Sequence, residues 1–176
     1  KKGTEITSDY GLVKDGNKMD GKWTVWHENG QKRWEYNYKD GNEHGKRTIW
    51  YENGQKRSEG NYKDGKLDGK WTAWYESGQK WSEENYKDNT LYNVTWWDEN
   101  GKKKFDAYYK DGKSDGKWTA WYESGQGKLE ANYKDGKNDG ESIRWYENGQ
   151  KSSEAIFVND MKHGKRVEWY ENGQKS

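Results

Sequence analysis

Hydrophobic and polar residues alternate along most of this chain, and short aromatic runs recur at a fixed spacing. The stretch 69–88, GKWTAWYESGQKWSEENYKD, returns almost letter for letter at 116–135. Variations begin at Gly21, Gly45 and Gly140. A period-2 alternation rich in Trp, Tyr and Thr is typical of β-strands. A unit repeated at fixed spacing indicates an array of copied supersecondary elements.

Two turn signals divide each unit into a pair of strands. Asn-Gly and Asp-Gly supply the positive φ angles that tight hairpin turns need. The first signal occurs at Asn29-Gly30, Asn53-Gly54, Ser77-Gly78, Asn100-Gly101, Ser124-Gly125, Asn148-Gly149 and Asn172-Gly173. The second occurs at Asp15-Gly16, Asp40-Gly41, Asp64-Gly65, Asp111-Gly112 and Asp135-Gly136. Each unit is therefore predicted to be a β-hairpin that pairs edge to edge with its neighbours.

The spacing of the units gives the expected domain organisation. Residues 1–9 are expected to be a loose lead-in segment, and 10–176 to form the array. Units start at 21, 45, 69, 93, 116, 140 and 164, so successive differences are 24, 24, 24, 23, 24 and 24. Each hairpin advances the array by about 10 Å. The predicted fold is all-β, an elongated single-layer antiparallel sheet of stacked hairpins.

Two aromatic columns are the expected core of the repeats. The second strands carry Tyr38, Tyr62, Tyr86, Tyr109, Tyr133 and Phe157. The first strands carry Trp26, Trp50, Trp74, Trp97, Trp121, Trp145 and Trp169. The Tyr column is predicted to face inward and the Glu column that alternates with it outward. A two-residue hairpin loop would put the Trp column on the Glu face, exposed, and a three-residue loop would put it on the Tyr face, as core.

Composition supports a folded chain with a thin core of rings. Hydrophobic residues make up 28% and charged residues 36%, figures that alone would suggest disorder. The 13 Trp and 14 Tyr argue for folding, because each large ring buries roughly 150–250 Å². The net charge of +1 disfavours nucleic acid and anionic lipid as partners. The absence of Cys excludes disulfides and Cys-based zinc or redox sites.

The consensus W-x-x-W-Y-E-N-G-Q-K…E-x-N-Y-K-D-G-K-x-D-G resembles the MORN repeat, in the bacterial variant found in YwqK-type proteins. The resemblance covers residues 10–176. It implies a scaffold of hairpins and a protein-binding role, such as that of an antitoxin or immunity protein. Some MORN arrays are attached to lipid kinases, but no phosphate-binding loop or kinase-type Asp/Asn set is present. The stretch 88–95, DNTLYNVT, departs from the pattern, since Asn89 and Asn93 replace Gly and one residue is missing.

Candidate chemistry is sparse, so the chain is not expected to be an enzyme, and no catalytic, cofactor or metal residues are assigned. The histidines His27, His44 and His163 stand at repeat positions that other copies fill with Tyr or Asp. Paired catalytic carboxylates in the Glu column are a weaker interpretation than a solvated stripe. The Trp column has two interpretations, packing or a stacking surface for sugars, cations or single-stranded nucleic acid, and packing is favoured.

Variable positions inside the fixed frame are typical of a surface that recognises a partner, because aromatic and Arg side chains dominate binding hot spots. Filling of local packing gaps is an equal alternative. The candidate partner-binding residues are Trp34, Trp81, Phe105, Tyr108, Arg33 and Arg57. The expected partner is a protein, with a toxin as the leading example, or a second copy of the chain. The alternative function is a surface module that binds glycans or assembles into fibres. The compartment follows the function: cytoplasmic for an antitoxin, secreted or surface-bound for a processed chain.

Overall fold

A computed structural model describes residues 6–7, 12–14 and 18–176, with side chains described from Asp20 onward. Antiparallel strands and turns account for the regular structure of this part of the chain, which confirms the predicted all-β class of hairpin repeats. No helix is found there, and so none with the length and apolarity to cross a bilayer. Two compact units, 1–90 and 91–176, divide the chain.

The strands follow the repeat. In the first unit they are β1 (Ile6–Thr7), β2 (Leu12–Lys14), β3 (Lys18–Trp26), β4 (Lys32–Lys39), β5 (Asn42–Glu43), β6 (Gly45–Trp50), β7 (Lys56–Lys63), β8 (Lys66–Leu67), β9 (Gly69–Trp74) and β10 (Lys80–Lys87). In the second they are β11 (Thr90–Trp97), β12 (Lys103–Lys110), β13 (Lys113–Trp121), β14 (Gly127–Lys134), β15 (Lys137–Trp145), β16 (Lys151–Val158), β17 (Met161–Lys162) and β18 (Val167–Glu168).

The hairpin loop and a β-bulge beside it together determine on which face of the sheet the Trp column lies. Tyr51 N donates to Gln55 O at 2.9 Å, which leaves a loop of three residues. The strands then pair Trp50 with Lys56 but Ile49 with Ser58, so Arg57 is an extra residue in a β-bulge. The bulge shifts the register by one and returns Trp50 to the face that carries the Glu column. A three-residue loop was expected to place the Trp column with the Tyr column, and the bulge is why it does not.

The two faces of the sheet therefore carry different columns. In the hairpin β6–β7, the tyrosine face carries Arg47, Ile49, Ser58, Gly60 and Tyr62. The glutamate face carries Lys46, Thr48, Trp50, Glu59 and Asn61. The other hairpins repeat this assignment because their cross-strand pairs are equivalent. Rings lie on both faces, and the residues of both aromatic columns are half-buried.

Small residues next to the Tyr column form the most buried part of the tyrosine face. Ala107 is 0% exposed and Ala131 is 1% exposed. Rings cover them: the Trp118 centroid lies 4.9 Å from that of Tyr133 and 4.8 Å from that of Phe105. The core is thus a layer of rings over small side chains, which explains how so few hydrophobic residues suffice.

The Glu column is less solvated than the alternation suggested. Glu35 accepts from Lys22 at 2.9 Å and from Lys32 at 2.7 Å, and its side chain is only 16% exposed. The Lys32 ammonium also lies 5.5 Å from the Trp50 ring centroid. Glu59 and Glu83 repeat the two-lysine arrangement. Each of these carboxylates lies between two lysines and is largely shielded from water, so the stripe is a network of ion pairs and not a row of free acids.

These carboxylates predict a loss of stability in acid. Burial opposes ionisation of Glu35, but hydrogen bonds from Lys32 and Lys22 outweigh it and lower the pKa. The pKa of Glu83 is lowered first by hydrogen bonds from Lys70 and Lys80. A carboxylate whose pKa is lowered in the folded state contributes its full stabilisation above the unfolded-state pKa near 4.5. That contribution is lost as the pH falls through the folded-state pKa. We expect the free energy of unfolding, measured with urea, to fall by roughly 1–2 kcal/mol as the pH drops from above 4.5 to below the folded-state pKa values.

A matched variant separates this network from other acid effects. Replacing Glu35, Glu59 and Glu83 by Gln should make the urea midpoint depend less on pH below about 4.5. An unchanged pH dependence in that variant would show that other carboxyl groups cause the loss.

Side-chain hydrogen bonds join successive repeats within each unit. The hydroxyls of Tyr51, Tyr122 and Tyr146 donate to the carbonyl oxygens of Trp74, Trp145 and Trp169, each at 2.8 Å. His27 stands in this column and places Nε2 3.2 Å from Trp50 O. His27 therefore replaces the tyrosine hydroxyl as the link between two repeats, which gives this histidine a structural role.

The irregular stretch 88–95 keeps the turn geometry of the repeat. In regular copies both turn residues have positive φ, as in Asp40 at 51° and Gly41 at 87°. Asp88 and Asn89 adopt φ values of 47° and 68°, so Asn89 takes the conformation that Gly has elsewhere. Asn tolerates the left-handed region better than most residues, which explains how the hairpin tolerates the substitution.

The segment predicted to be a lead-in contributes a short strand. Ile6 pairs with Val25 and Thr7 with Thr24, so β1 lies along β3. Further on, β2 pairs with the start of β3. The rest of the predicted lead-in, residues 1–5 and 8–9, and the turn signal Asp15-Gly16 lie outside the described residues.

Candidate partner-binding groove

A groove with two adjoining parts lies in the first unit, lined mostly by residues of the tyrosine face and of the hairpin loops. The first part has a volume of about 540 Å³ and the second about 450 Å³. Trp34, Ile49, Tyr51 and Arg57 line both parts. Three successive hairpins, 21–39, 45–63 and 69–87, contribute to it. The groove therefore exists only where repeats stand side by side.

The groove arises from a difference in side-chain size along one column. Trp34 pairs with Ile49 of the next repeat. In the next two hairpins the position of Trp34 is occupied by Ser58 and Ser82, which are both buried. A large ring beside a small residue leaves a hollow, and Ser58 lines its second part. The variation in this column was the signal that suggested a partner-binding surface.

Arginine side chains lie near the rings that line the groove. The Arg33 guanidinium carbon lies 4.3 Å from the Trp34 ring centroid, and that of Arg57 lies 5.9 Å from the Tyr51 ring. Among the described residues, neither guanidinium forms an ion pair with a carboxylate. Guanidinium groups that lie near rings and form no ion pair keep N–H groups available for a bound group.

Arg47 lies deeper and is partly neutralised. Its guanidinium lies between the rings of Tyr36 and Tyr62, at 4.9 and 5.7 Å from their centroids. Nη1 donates to the Tyr62 hydroxyl at 3.2 Å and lies 3.6 Å from Glu43 Oε2. Its Nε atom is buried without a hydrogen-bond partner in the described structure. Burial raises the pKa of Tyr36, although the neighbouring Arg47 charge opposes that shift.

Aromatic side chains form the rim of the groove. Trp81 is 47% exposed, and its ring centroid lies 6.4 Å from that of Tyr75. Trp71 lies beneath, with its ring edge toward Tyr62 at 6.3 Å. An exposed Trp beside a ring-lined hollow is typical of an interface anchor.

The structure brings together four of the six candidate partner-binding residues. Trp34, Arg33, Trp81 and Arg57 all line the groove. The other two lie in the second unit. Phe105 is packed between Trp96 and Trp118, with centroid distances of 5.4 and 4.8 Å. Tyr108 is 46% exposed and follows Asp106 on the glutamate face.

Arg47 lines the groove but is not among the residues predicted from the sequence, although the repeat pattern does mark it. Arg47 occupies the position that Trp23, Trp71 and Trp118 occupy in other hairpins. A cation in place of a ring departs further from the repeat consensus than the substitutions at the predicted partner-binding positions do. Ile49 and Tyr51 offered no such signal, because both fit the repeat pattern.

The histidines do not converge on a common site. His44 Nδ1 lies 3.2 Å from Asp64 Oδ1 at an exposed turn, and His163 is exposed. Within 20–176, where side chains are described, no group of three or more His, Cys, Asp or Glu residues is placed to hold a metal ion.

Comparison with known families agrees with the geometry of the hairpins. The model of the MORN repeat variant matches residues 19–40, 43–64, 67–88, 93–111, 114–135, 138–159 and 162–175. No curated protein matches the chain. The matched segments cover most of the sequence and each contains one repeat, including the irregular copy. The chain therefore belongs to the MORN repeat variant family.

Proposed function

We propose that this protein is a non-catalytic binding module that holds a protein partner on the tyrosine face of its first unit. MORN repeats generally mediate interactions with proteins or membranes. The groove lined by Trp34, Arg57 and Trp81 is the observation that carries the proposal. It combines exposed rings with unpaired guanidinium groups, the side chains that contribute most to protein interfaces.

Within that role, an antitoxin or immunity protein is the function we favour. The resemblance to YwqK-type proteins motivates it. Such a protein neutralises its partner by covering it, so it needs a shaped surface and no catalytic centre. A groove assembled from three hairpins supplies a surface of this kind.

The Trp column gives less support to the alternative of glycan binding. Glycan stacking requires open ring faces, but lysines of the preceding repeat lie over Trp50, Trp74, Trp121 and Trp169 at 5.5 to 5.9 Å. Ammonium groups over the rings occupy the surface that a sugar would use.

Calorimetry with the product of a toxin gene adjacent to the gene for this chain tests the proposal. We expect saturable binding with a Kd below about 1 μM, equivalent to about −8 kcal/mol, together with loss of toxin activity. Absence of heat and of inhibition at micromolar concentration would contradict the antitoxin function.

A further inference from the structure

The charges of the groove identify the kind of segment it would hold. We propose that the groove binds an acidic polypeptide segment in which a carboxylate neighbours an aromatic or aliphatic side chain. This inference rests on the proposed protein-binding function and specifies its partner chemistry. The observations behind it are the two arginines without ion pairs, the rings that line the groove and the acidic residues of its first part.

Arg33 and Arg57 are arranged to receive carboxylates. Each lies near a ring, at 4.3 Å from the Trp34 centroid for Arg33 and 5.9 Å from the Tyr51 centroid for Arg57, and neither forms an ion pair among the described residues. A guanidinium edge matches a carboxylate with two parallel hydrogen bonds. Pre-ordered side chains lose less conformational entropy on binding, so each bond contributes more to affinity.

The repeat sets the distance between these two cations. Arg33 and Arg57 occupy equivalent positions in successive hairpins, 24 residues apart. Two strand spacings separate equivalent positions, which corresponds to about 10 Å across the sheet. Two acidic groups of the partner with that separation could pair with both arginines at once.

The second part of the groove, which Arg57 lines but Arg33 does not, selects an apolar neighbour for the carboxylate at Arg57. It is lined by the rings of Trp34, Trp71 and Trp81 and by Ile49 and Ala73, together with the partly neutralised Arg47. A single ring or branched aliphatic side chain would fill part of this volume and remove the exposed surface of Trp81 from water. Burial of such a side chain contributes about 1.5–3 kcal/mol in general.

The surroundings favour discrete carboxylates over a chain of phosphates. Glu28 and Glu52 line the first part of the groove, and Glu52 lies 3.9 Å from His27. A polyphosphate backbone that followed the groove would meet these carboxylates, and proteins that bind single strands use continuous positive tracts instead. A peptide can place acidic residues at the arginines and neutral or basic ones beside Glu28 and Glu52.

Selection from a phage-displayed library of random 12-residue peptides tests this inference on the full chain. We expect enriched peptides to carry Asp or Glu next to Phe, Trp, Tyr, Leu or Ile. The double variant Arg33→Gln/Arg57→Gln should bind those peptides at least 30-fold more weakly by fluorescence anisotropy. Lys128→Gln is the matched control, since Lys128 occupies the position of Arg57 in the second unit and lies 5.3 Å from the Tyr122 ring; its binding should be unchanged.

A charge-reversed variant keeps the test decisive. Arg33→Glu/Arg57→Glu, confirmed as folded by circular dichroism, should reverse the selection toward basic peptides. Enrichment of neutral or basic peptides on the natural chain would overturn the inference while leaving the protein-binding function standing. Failure to enrich any peptide would contradict both.

The same variants separate the other classes of ligand. Thymidine 20-mers and phosphatidylserine vesicles at 150 mM salt should bind weakly or not at all. Tight binding of either that is lost in Arg33→Gln/Arg57→Gln would assign the groove to nucleic acid or to a lipid surface and overturn the peptide assignment.

Discussion

Replacing Trp34 and Trp81 together by alanine is expected to weaken partner binding by at least 100-fold. Trp34 forms the wall of the groove and Trp81 its exposed rim. Interface tryptophans in ring-lined pockets contribute about 2 kcal/mol or more each when truncated, and roughly 3 kcal/mol corresponds to that loss of affinity. Calorimetry or surface plasmon resonance with the partner measures it directly.

The control for this prediction is a tyrosine of similar exposure outside the groove. Tyr108 is 46% exposed, against 47% for Trp81, but lies on the glutamate face of the second unit. Tyr108→Ala should leave affinity within about twofold. Equal losses in both variants would show that the partner does not use the groove specifically. Urea unfolding of each variant separates lost binding from lost folding.

Substituting Gly60 by valine is expected to destabilise the first unit by about 2–3 kcal/mol. Gly60 is buried on the tyrosine face, and a Cβ atom there would lie 2.2 Å from Trp71 Cε3. Trp71 is held by its edge-on contact with Tyr62 and cannot move without disturbing that neighbour. Overpacking of a filled site costs about 1–3 kcal/mol. The midpoint of urea unfolding, followed by Trp fluorescence, gives the value.

A second strand glycine provides the matched control. Gly127 also lies in a strand, its φ is outside the left-handed region, and a Cβ atom there would meet nothing within 4 Å. Gly127→Ala should therefore stabilise the chain by about 0.4–1 kcal/mol, because alanine restricts the unfolded chain. Destabilisation by Gly127→Ala comparable to that of Gly60→Val would mean that loss of glycine itself, and not contact with Trp71, causes the effect.

The repeat pattern was sufficient to predict the hairpins, because turn residues and period-2 alternation act locally. Asp40-Gly41 and Asp64-Gly65 form the predicted two-residue turns with both φ values positive. The position of the Trp column could not be predicted in the same way. It depends on a bulge at Arg57, and nothing in the pattern distinguishes a bulged residue from a paired one.

The candidate site was predicted in part for a related reason. Trp34 and Trp81 stand out because they break a column, and sequence shows such breaks. The hollow beside Trp34 depends on which residue of the next hairpin lies opposite, and that register is a property of the fold. Arg47 does not stand out by that criterion, because it puts a cation in place of a ring and adds no ring to its column.

The forward-reaching tyrosine hydroxyls have a consequence for how such a chain can change in length. Tyr51, Tyr122 and Tyr146 each bond a carbonyl 23 positions ahead. At these junctions, each inside one unit, a copy thus offers a Trp carbonyl to the copy before it and, where the tyrosine is kept, a hydroxyl to the copy after it. Duplication or loss of a whole copy preserves each junction, whereas gain of a fraction of a copy breaks one. Evolution can therefore add or remove whole hairpins while the groove formed by residues 21–87 stays intact.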